Sequence, residues 1–157
     1  MQLVALGLVD RTDIPPVALF RLQDRNLASR LVSQLAQLRE DFFEQVTRSA
    51  RSIEPAPINV TVFGSMARGQ AGAESDIDLL VVRASDTEAD DDLWVKPLGM
   101  FEEELEALAG NPPNLIEVAE GEMPELLGGK EGLWKQVEEE GLVLLGVPLA
   151  KFQNGNG

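Results

Sequence analysis

Ile58-Asn59-Val60-Thr61-Val62-Phe63-Gly64-Ser65-Met66-Ala67-Arg68-Gly69, the loop Gln70-Ala71-Gly72-Ala73-Glu74, then Ser75-Asp76-Ile77-Asp78-Leu79-Leu80-Val81-Val82-Arg83 is the stretch on which the fold turns. It reads as an apolar strand ending at Phe63, a Gly64-Ser65 turn into a short helix, a Gly/Ala loop, and a second apolar strand that begins with Asp76-Ile77-Asp78. Side chains alternate along a strand, so carboxylates two residues apart share one face. Glycine at the corner lets the backbone approach a ligand closely. The helix start behind it offers unpaired amides to phosphate oxygens, and Ser65 adds a hydroxyl. That face is where a metal ion and a triphosphate are expected.

Asp76 and Asp78 suit Mg²⁺, which prefers carboxylate oxygens and keeps water and phosphate oxygens as its remaining ligands. A third carboxylate on a neighbouring strand would complete a two-metal clamp around an attacking hydroxyl and a leaving pyrophosphate. Glu117 is the candidate, because it is the lone acid within the apolar run Leu115-Ile116-Glu117-Val118-Ala119. Arg68 is open between a phosphate contact and a pairing with Glu74 or Asp76. Ser75 is expected to cap or orient Asp76.

Composition narrows the chemistry. The 157 residues contain no cysteine, histidine or tyrosine, which removes disulfides, thiolate and imidazole metal sites, Ser-His triads and histidine bases. Catalysis must rest on carboxylates, Arg, Lys, hydroxyls and a hard cation. Residues 1–68 hold eight Arg against seven Asp/Glu, whereas residues 69–157 hold five Lys/Arg against twenty Asp/Glu. So acidic a half lacks the clustered cations that nucleic acid backbones require, and fits a basic protein partner or simple solubility. No apolar run reaches the roughly 18 residues of a membrane helix, and Gln2 to Gly7 lacks the basic region of a secretory signal. A cytoplasmic location is the expectation.

Outward from the centre, Leu27, Leu31, Leu35, Leu38, Phe42, Val46 and Ala50 recur at helical spacing from Asp24 to about Ser52. Asp24 or Asn26 serves as N-cap, and Pro55 and Pro57 end the element. Such a helix is about 38 Å long at 1.5 Å per residue. That exceeds what the sheet needs, so one end is free to reach a partner or a second copy, or else simply links the segments on either side. Before it, Leu3–Leu22 holds two apolar runs joined by a turn through Pro16, the pattern of a helix end or strand followed by a β-hairpin. Leu6-Gly7-Leu8-Val9 and Leu19-Phe20-Arg21-Leu22 loosely resemble the end of the third helix and the wing of a winged helix-turn-helix domain. The domain's first two helices have no counterpart, so a wing remnant is implied rather than a DNA reader.

Beyond the centre, the acidic run Asp86 to Asp92 reads as an exposed loop opening a helix. Leu93, Leu98, Phe101, Leu105 and Leu108 mark that helix, which closes at Gly110, with Pro97 delaying its regular start until after Lys96. A strand over 114–120, two short helices over 124–127 and 133–139, and a last apolar element over 141–146 follow. Residues 153–157 are expected to be disordered.

Gly64-Ser65-Met66-Ala67-Arg68-Gly69 and Ser75-Asp76-Ile77-Asp78-Leu79-Leu80-Val81-Val82 together resemble the polymerase β-type nucleotidyltransferase superfamily, and within it the small stand-alone minimal nucleotidyltransferases. The specific motifs span about twenty residues, and the order of strands and helices extends the likeness over roughly 55–120. The resemblance implies an α/β (α+β) fold with a small mixed β-sheet flanked by helices. It also implies that Gly64 and Ser65 contact a nucleoside triphosphate, that Asp76 and Asp78 bind Mg²⁺, and that a third acid, here Glu117, activates an acceptor hydroxyl. The domain expectation is a hairpin remnant over 1–23, a connecting helix over 24–54, a nucleotidyltransferase core over 55–150 and a tail over 151–157.

The leading functional expectation is transfer of AMP from ATP, with two Mg²⁺ ions, onto a hydroxyl of another molecule. A protein acceptor leads, in this family often the tyrosine of a toxin-like helical (HEPN) partner, which would make the chain an antitoxin. An aminoglycoside-like acceptor calls for an additional helical domain, and RNA for a basic surface. The alternative from another class is a nucleotide-binding module without turnover, whose hairpin and long helix mediate homo-oligomerisation or regulation.

Overall fold

The computed structural model describes residues 2–72, 75–129 and 132–153. The expectation of disorder for residues 154–157 therefore lies outside the described residues, while Gln153 closes a final helical turn. The chain forms two compact units, Met1–Asp41 and Phe42–Gly157.

The first unit begins with a single helical turn, α1 (Gln2–Ala5), and continues into the antiparallel hairpin β1 (Val9–Ile14) and β2 (Val17–Leu22). Pro15 and Pro16 make the turn, as their fixed φ and missing donors favour. The hairpin anticipated for Leu3–Leu22 is present. Helix α2 (Ser29–Ala50) begins in this unit and ends in the second. Asn26, expected as a cap, instead orders the turn before the helix, with Oδ1 accepting from the Ala28 amide at 3.0 Å and Nδ2 donating to the Gly7 carbonyl at 3.0 Å.

The second unit is built on a four-stranded sheet in the order β5-β4-β3-β6. Strand β3 (Asn59–Phe63) pairs antiparallel with β4 (Asp78–Arg83) and with β6 (Leu142–Gly146), and β4 pairs parallel with β5 (Asn114–Ala119). The sheet is thus mixed and flanked by helices, as expected. Helix α3 (Gly64–Ala67) follows β3, α4 (Asp92–Ala109) links β4 to β5, α5 (Met123–Gly128) and α6 (Leu133–Glu140) precede β6, and α7 (Ala150–Gln153) ends the described chain.

Strand parity divides the core. Val60, Val62, Ile77, Leu79 and Val81 face a layer made by the end of α2 (Phe43, Val46, Ala50) and by α4 (Trp94, Leu98, Phe101, Leu105). Phe63, Leu80, Val82 and Val118 face α5, α6 and α7 through Met123, Leu127, Val137 and Phe152. Central strands β3 and β4 are covered on both faces, which is why Leu79–Val82 of β4 is an unbroken apolar run. Strand β3 buries Asn59 and Thr61 with their polar groups satisfied, Thr61 Oγ1 donating to Asn59 Oδ1 at 2.6 Å and Asn59 Nδ2 to the Val147 carbonyl at 2.7 Å.

Helix α4 departs from expectation at its start. It begins at Asp92 and carries Pro97 inside. The Asp91 side chain caps it by accepting from the Leu93 amide at 2.9 Å, and Lys96 Nζ reaches Asp92 at 2.7 Å. With Trp94 and Leu98 buried on either side of the proline, packing and capping outweigh the one hydrogen bond that Pro97 cannot donate. Its end is as anticipated, at Gly110 in the left-handed conformation with φ 82°. No helix among the described residues is long and apolar enough to cross a membrane.

Leu79 is fully buried near the start of β4, in the same core layer as Trp94. Leu79→Ala is expected to destabilise the second unit by about 2–5 kcal/mol. Urea unfolding followed by tryptophan fluorescence would measure it, and a cost under about 1 kcal/mol would contradict this packing.

Candidate functional site

Three strand ends meet at one edge of the second unit's core. β3 leaves the sheet at Phe63, β4 enters it at Asp78, and β5 enters at Asn114; Phe63 pairs with Asp78 and Asp78 with Asn114. Residue 64 must be glycine for two reasons. Its φ of 68° lies in the left-handed region, and a Cβ built on it would overlap Oδ2 of Asp78, with Cγ only 3.2 Å away. The absent side chain is what lets the Asp78 carboxylate lie against the backbone where β3 turns into α3.

The other Asp78 oxygen is held from the opposite side. Asn114 Nδ2 donates to Oδ1 at 2.9 Å, and the Asn114 amide donates to the Ile77 carbonyl at 2.9 Å, which extends the β4–β5 ladder past Asp78. Asp78 is half-buried; Asp76, two residues earlier, is exposed. Ser65, half-buried, opens α3 beside them. Gly64, Ser65 and Asp78 are therefore together, with Asp76 next to them in the chain.

Glu117 is not part of this group. By parity Asp78, Leu80 and Val82 share a sheet face with Asn114, Ile116 and Val118, whereas Glu117 stands opposite Val81 on the other face. It lies three residues beyond Asn114, about 10 Å along the strand. There it accepts a 2.8 Å hydrogen bond from Arg83 Nε in a partly buried ion pair, and Arg83 also donates through Nη1 to the Thr87 carbonyl. The expectation that Glu117 joins Asp76 and Asp78 is corrected: it neutralises Arg83. Among the described residues no group of three acidic side chains gathers to hold a metal ion.

Arg68 and Ser75 take other partners too. Arg68 pairs through Nη1 with Glu140 at the end of α6, and its Nε donates to Gln70 Oε1 at 3.0 Å. Of the two carboxylates expected to pair with it, Asp76 does not take it, and Glu74 lies outside the described residues. Ser75 Oγ accepts from the Gly72 amide at 2.9 Å while its own amide donates to the Gly72 carbonyl at 3.1 Å, so it closes the loop ahead of Asp76.

Asn114 and Glu140 escaped the sequence reading. Asn114 looked like the polar end of a strand. Its place beside Asp78 depends on the parallel register of β4 and β5, and Glu140 meets Arg68 across a sequence separation of 72. The oxygen donors available here are the carboxylates of Asp76 and Asp78, hard ligands that fit one Mg²⁺ with phosphate oxygens as further ligands, while the Asn114 amide turns its nitrogen to Asp78. These donors do not assemble the expected three-carboxylate clamp.

Residues 43–140 match the family model for a nucleotidyltransferase domain. No curated protein sequence matches the chain. Among solved structures, a toxin–antitoxin complex with AMP-PNP is similar at 18% identity and TM-score 0.47, over 70% of this chain and 79% of that one. An MntA–HpeT toxin–antitoxin mutant is similar at 16% identity and TM-score 0.48, over 71% and 84%. A complex of tri-AMPylated HEPN toxin with MNT antitoxin from Shewanella oneidensis is similar at 16% identity and TM-score 0.43, over 69% and 73%.

Two substitutions test the placement. Glu117→Ala is expected to cost about 1–3 kcal/mol, since it leaves the mostly buried Arg83 without its carboxylate, and to leave nucleotide affinity within about twofold. Gly64→Ala is expected to cost about 1–3 kcal/mol and to displace Asp78, abolishing nucleotide binding. Urea titration and calorimetry read both; a tenfold loss of affinity in Glu117→Ala would return that residue to the site.

Proposed function

The chain belongs to the nucleotidyltransferase-domain family, and on that premise we propose that it transfers AMP from ATP, with Mg²⁺, onto a hydroxyl of a partner protein. The observation that carries this reading is the close fit of Gly64 against Asp78. A glycine in a left-handed corner, with a carboxylate laid against it, is an arrangement that packing alone does not call for. It brings the turn before α3 and an anionic cation ligand to one point.

Asp76 and Asp78 hold the cation, and Gly64 and Ser65 hold the triphosphate. When bound, Mg²⁺ supplies charge neutralisation at the phosphate oxygens. In the transfer, the acceptor oxygen forms a bond to the α-phosphorus as the α–β bridging bond breaks. Pyrophosphate leaves with that electron pair and the hydroxyl proton passes to solvent. Arg68, neutralised by Glu140, shapes the turn. Ser75 does the same for the loop that delivers Asp76.

Acceptor class follows from charge. The formal charge of the chain is −14, concentrated in the half that carries the two aspartates, which disfavours an RNA end. Asp76 is exposed, so an acceptor presented on the surface of another protein, as in an antitoxin acting on its toxin, can reach it.

A second reading is favoured by the environment of Asp78. With Glu117 committed to Arg83 and an amide at Asn114, no third carboxylate among the described residues stands ready to take the acceptor proton. Under this reading the chain binds nucleotide as a sensor and does not turn it over.

Incubation with Mg²⁺, α-labelled ATP and native lysate separates them. Transfer predicts a labelled protein whose mass rises by one AMP, a signal lowered about 10²-fold or more by Asp76→Ala, and raised by Asn114→Asp, which supplies a base. Nucleotide binding without labelling or pyrophosphate release supports the sensor. Absence of nucleotide binding overturns both.

A further inference from the structure

The first unit has almost no interior. Among the described residues it buries one large apolar side chain, Leu8, while ten of the sixteen exposed large hydrophobics of the chain fall within its 41 residues. A segment of that size with so small a core is below what a single chain stabilises alone, and oligomerisation is one of the few remedies. Isolated two-stranded hairpins are marginal for the same reason.

The exposed groups are ordered on α2. Ser29 is buried and Val32 and Ser33 half-buried, whereas Leu31, Leu35 and Leu38 are 63%, 66% and 57% exposed. At about 100° per residue these three leucines occupy a strip about 60° wide. Leu27, 91% exposed, extends the strip just before the helix. Spacings of four and three are those of the seam along which two helices interlock knobs into holes.

Charge selects the occupant and its direction. Arg30 and Asp41, both exposed, fall on the same flank of the strip, within about 20° of each other and about 16 Å apart along the axis. Two copies of this helix packed antiparallel, about a two-fold axis at the level of residues 35 and 36, set Arg30 of each copy beside Asp41 of the other. The same operation places Leu35 against Leu35 and Leu31 near Leu38 of the second copy. A parallel pair joins opposite flanks and leaves both charges without that complement. A surface complementary to itself about a two-fold axis is what a closed dimer requires.

We infer that the first unit is a dimerisation element in which α2 pairs antiparallel with α2 of a second copy through Leu31, Leu35 and Leu38, with reciprocal Arg30–Asp41 pairs at the rim. This goes beyond the nucleotidyl-transfer reading and stands without it.

The chain has no cysteine, so disulfide trapping needs no background substitutions. Light scattering on the full chain at about 50 µM should give twice the mass expected for 17.1 kDa. Leu35→Cys should cross-link to itself on mild oxidation. Leu31→Cys should not, but should cross-link to Leu38→Cys when the two variants are mixed, because only an antiparallel pair brings those positions within disulfide reach. Arg30→Asp should weaken the dimer about tenfold or more, and adding Asp41→Arg should restore it, since the double variant exchanges both charges and keeps the leucines. Circular dichroism of each variant verifies that α2 is intact. A monomer at that concentration, self-cross-linking of Leu31→Cys without the mixed product, or failure of the double charge variant to recover association would each overturn the inference.

Discussion

Everything that bears on function here depends on how closely a carboxylate approaches a backbone. Asp78 lies against Gly64 at the corner where β3 becomes α3, and only a residue without Cβ, at a φ of 68°, leaves space for it. Asn114 holds the carboxylate from the far side at 2.9 Å. The four-stranded sheet, packed on both faces, keeps these strand ends in register. The site is consequently rigid where it touches Asp78 and open where it offers Asp76.

Local patterns made part of this legible from residues alone. The glycine corner and the apolar run of β4 are such patterns, and the structure places them as expected, but β4 begins at Asp78, so the strand alternation expected to put Asp76 and Asp78 on one face does not extend to Asp76. Glu117 shows where such counting stops. Within its own strand it is a lone acid, but which face it occupies relative to Asp78 depends on the pairing register of β5 with β4. That register is set by packing far along the chain. Arg68 repeats the point, because its partner Glu140 comes from α6. Pro97 shows the converse: a local rule against proline in a helix yields to the Asp91 cap and to the burial of Trp94 and Leu98.

Two different uses of one long helix follow from its sequence. The end of α2 carries Phe43, Val46 and Ala50 into the core beneath the sheet, while its beginning keeps Leu31, Leu35 and Leu38 at the surface. A single apolar period runs through both, so the sequence pattern alone does not reveal that one half is satisfied within the chain and the other is not. Exposure resolves them. The edge at Gly64 and Asp78 and the leucine strip therefore lie in different units, the first ordered by close backbone approach and the second left exposed.

The central claim, that nucleotide and cation meet at the Gly64–Asp78–Asn114 edge, is tested most directly by paramagnetic relaxation. Mn²⁺ added with a non-hydrolysable ATP analogue should broaden the amide resonances of Gly64, Ser65, Asp76, Asp78 and Asn114 first, and leave Arg83 and Glu117 sharper. Broadening centred on the acidic run from Asp86 to Asp92, or spread evenly over the acidic surface, would contradict it.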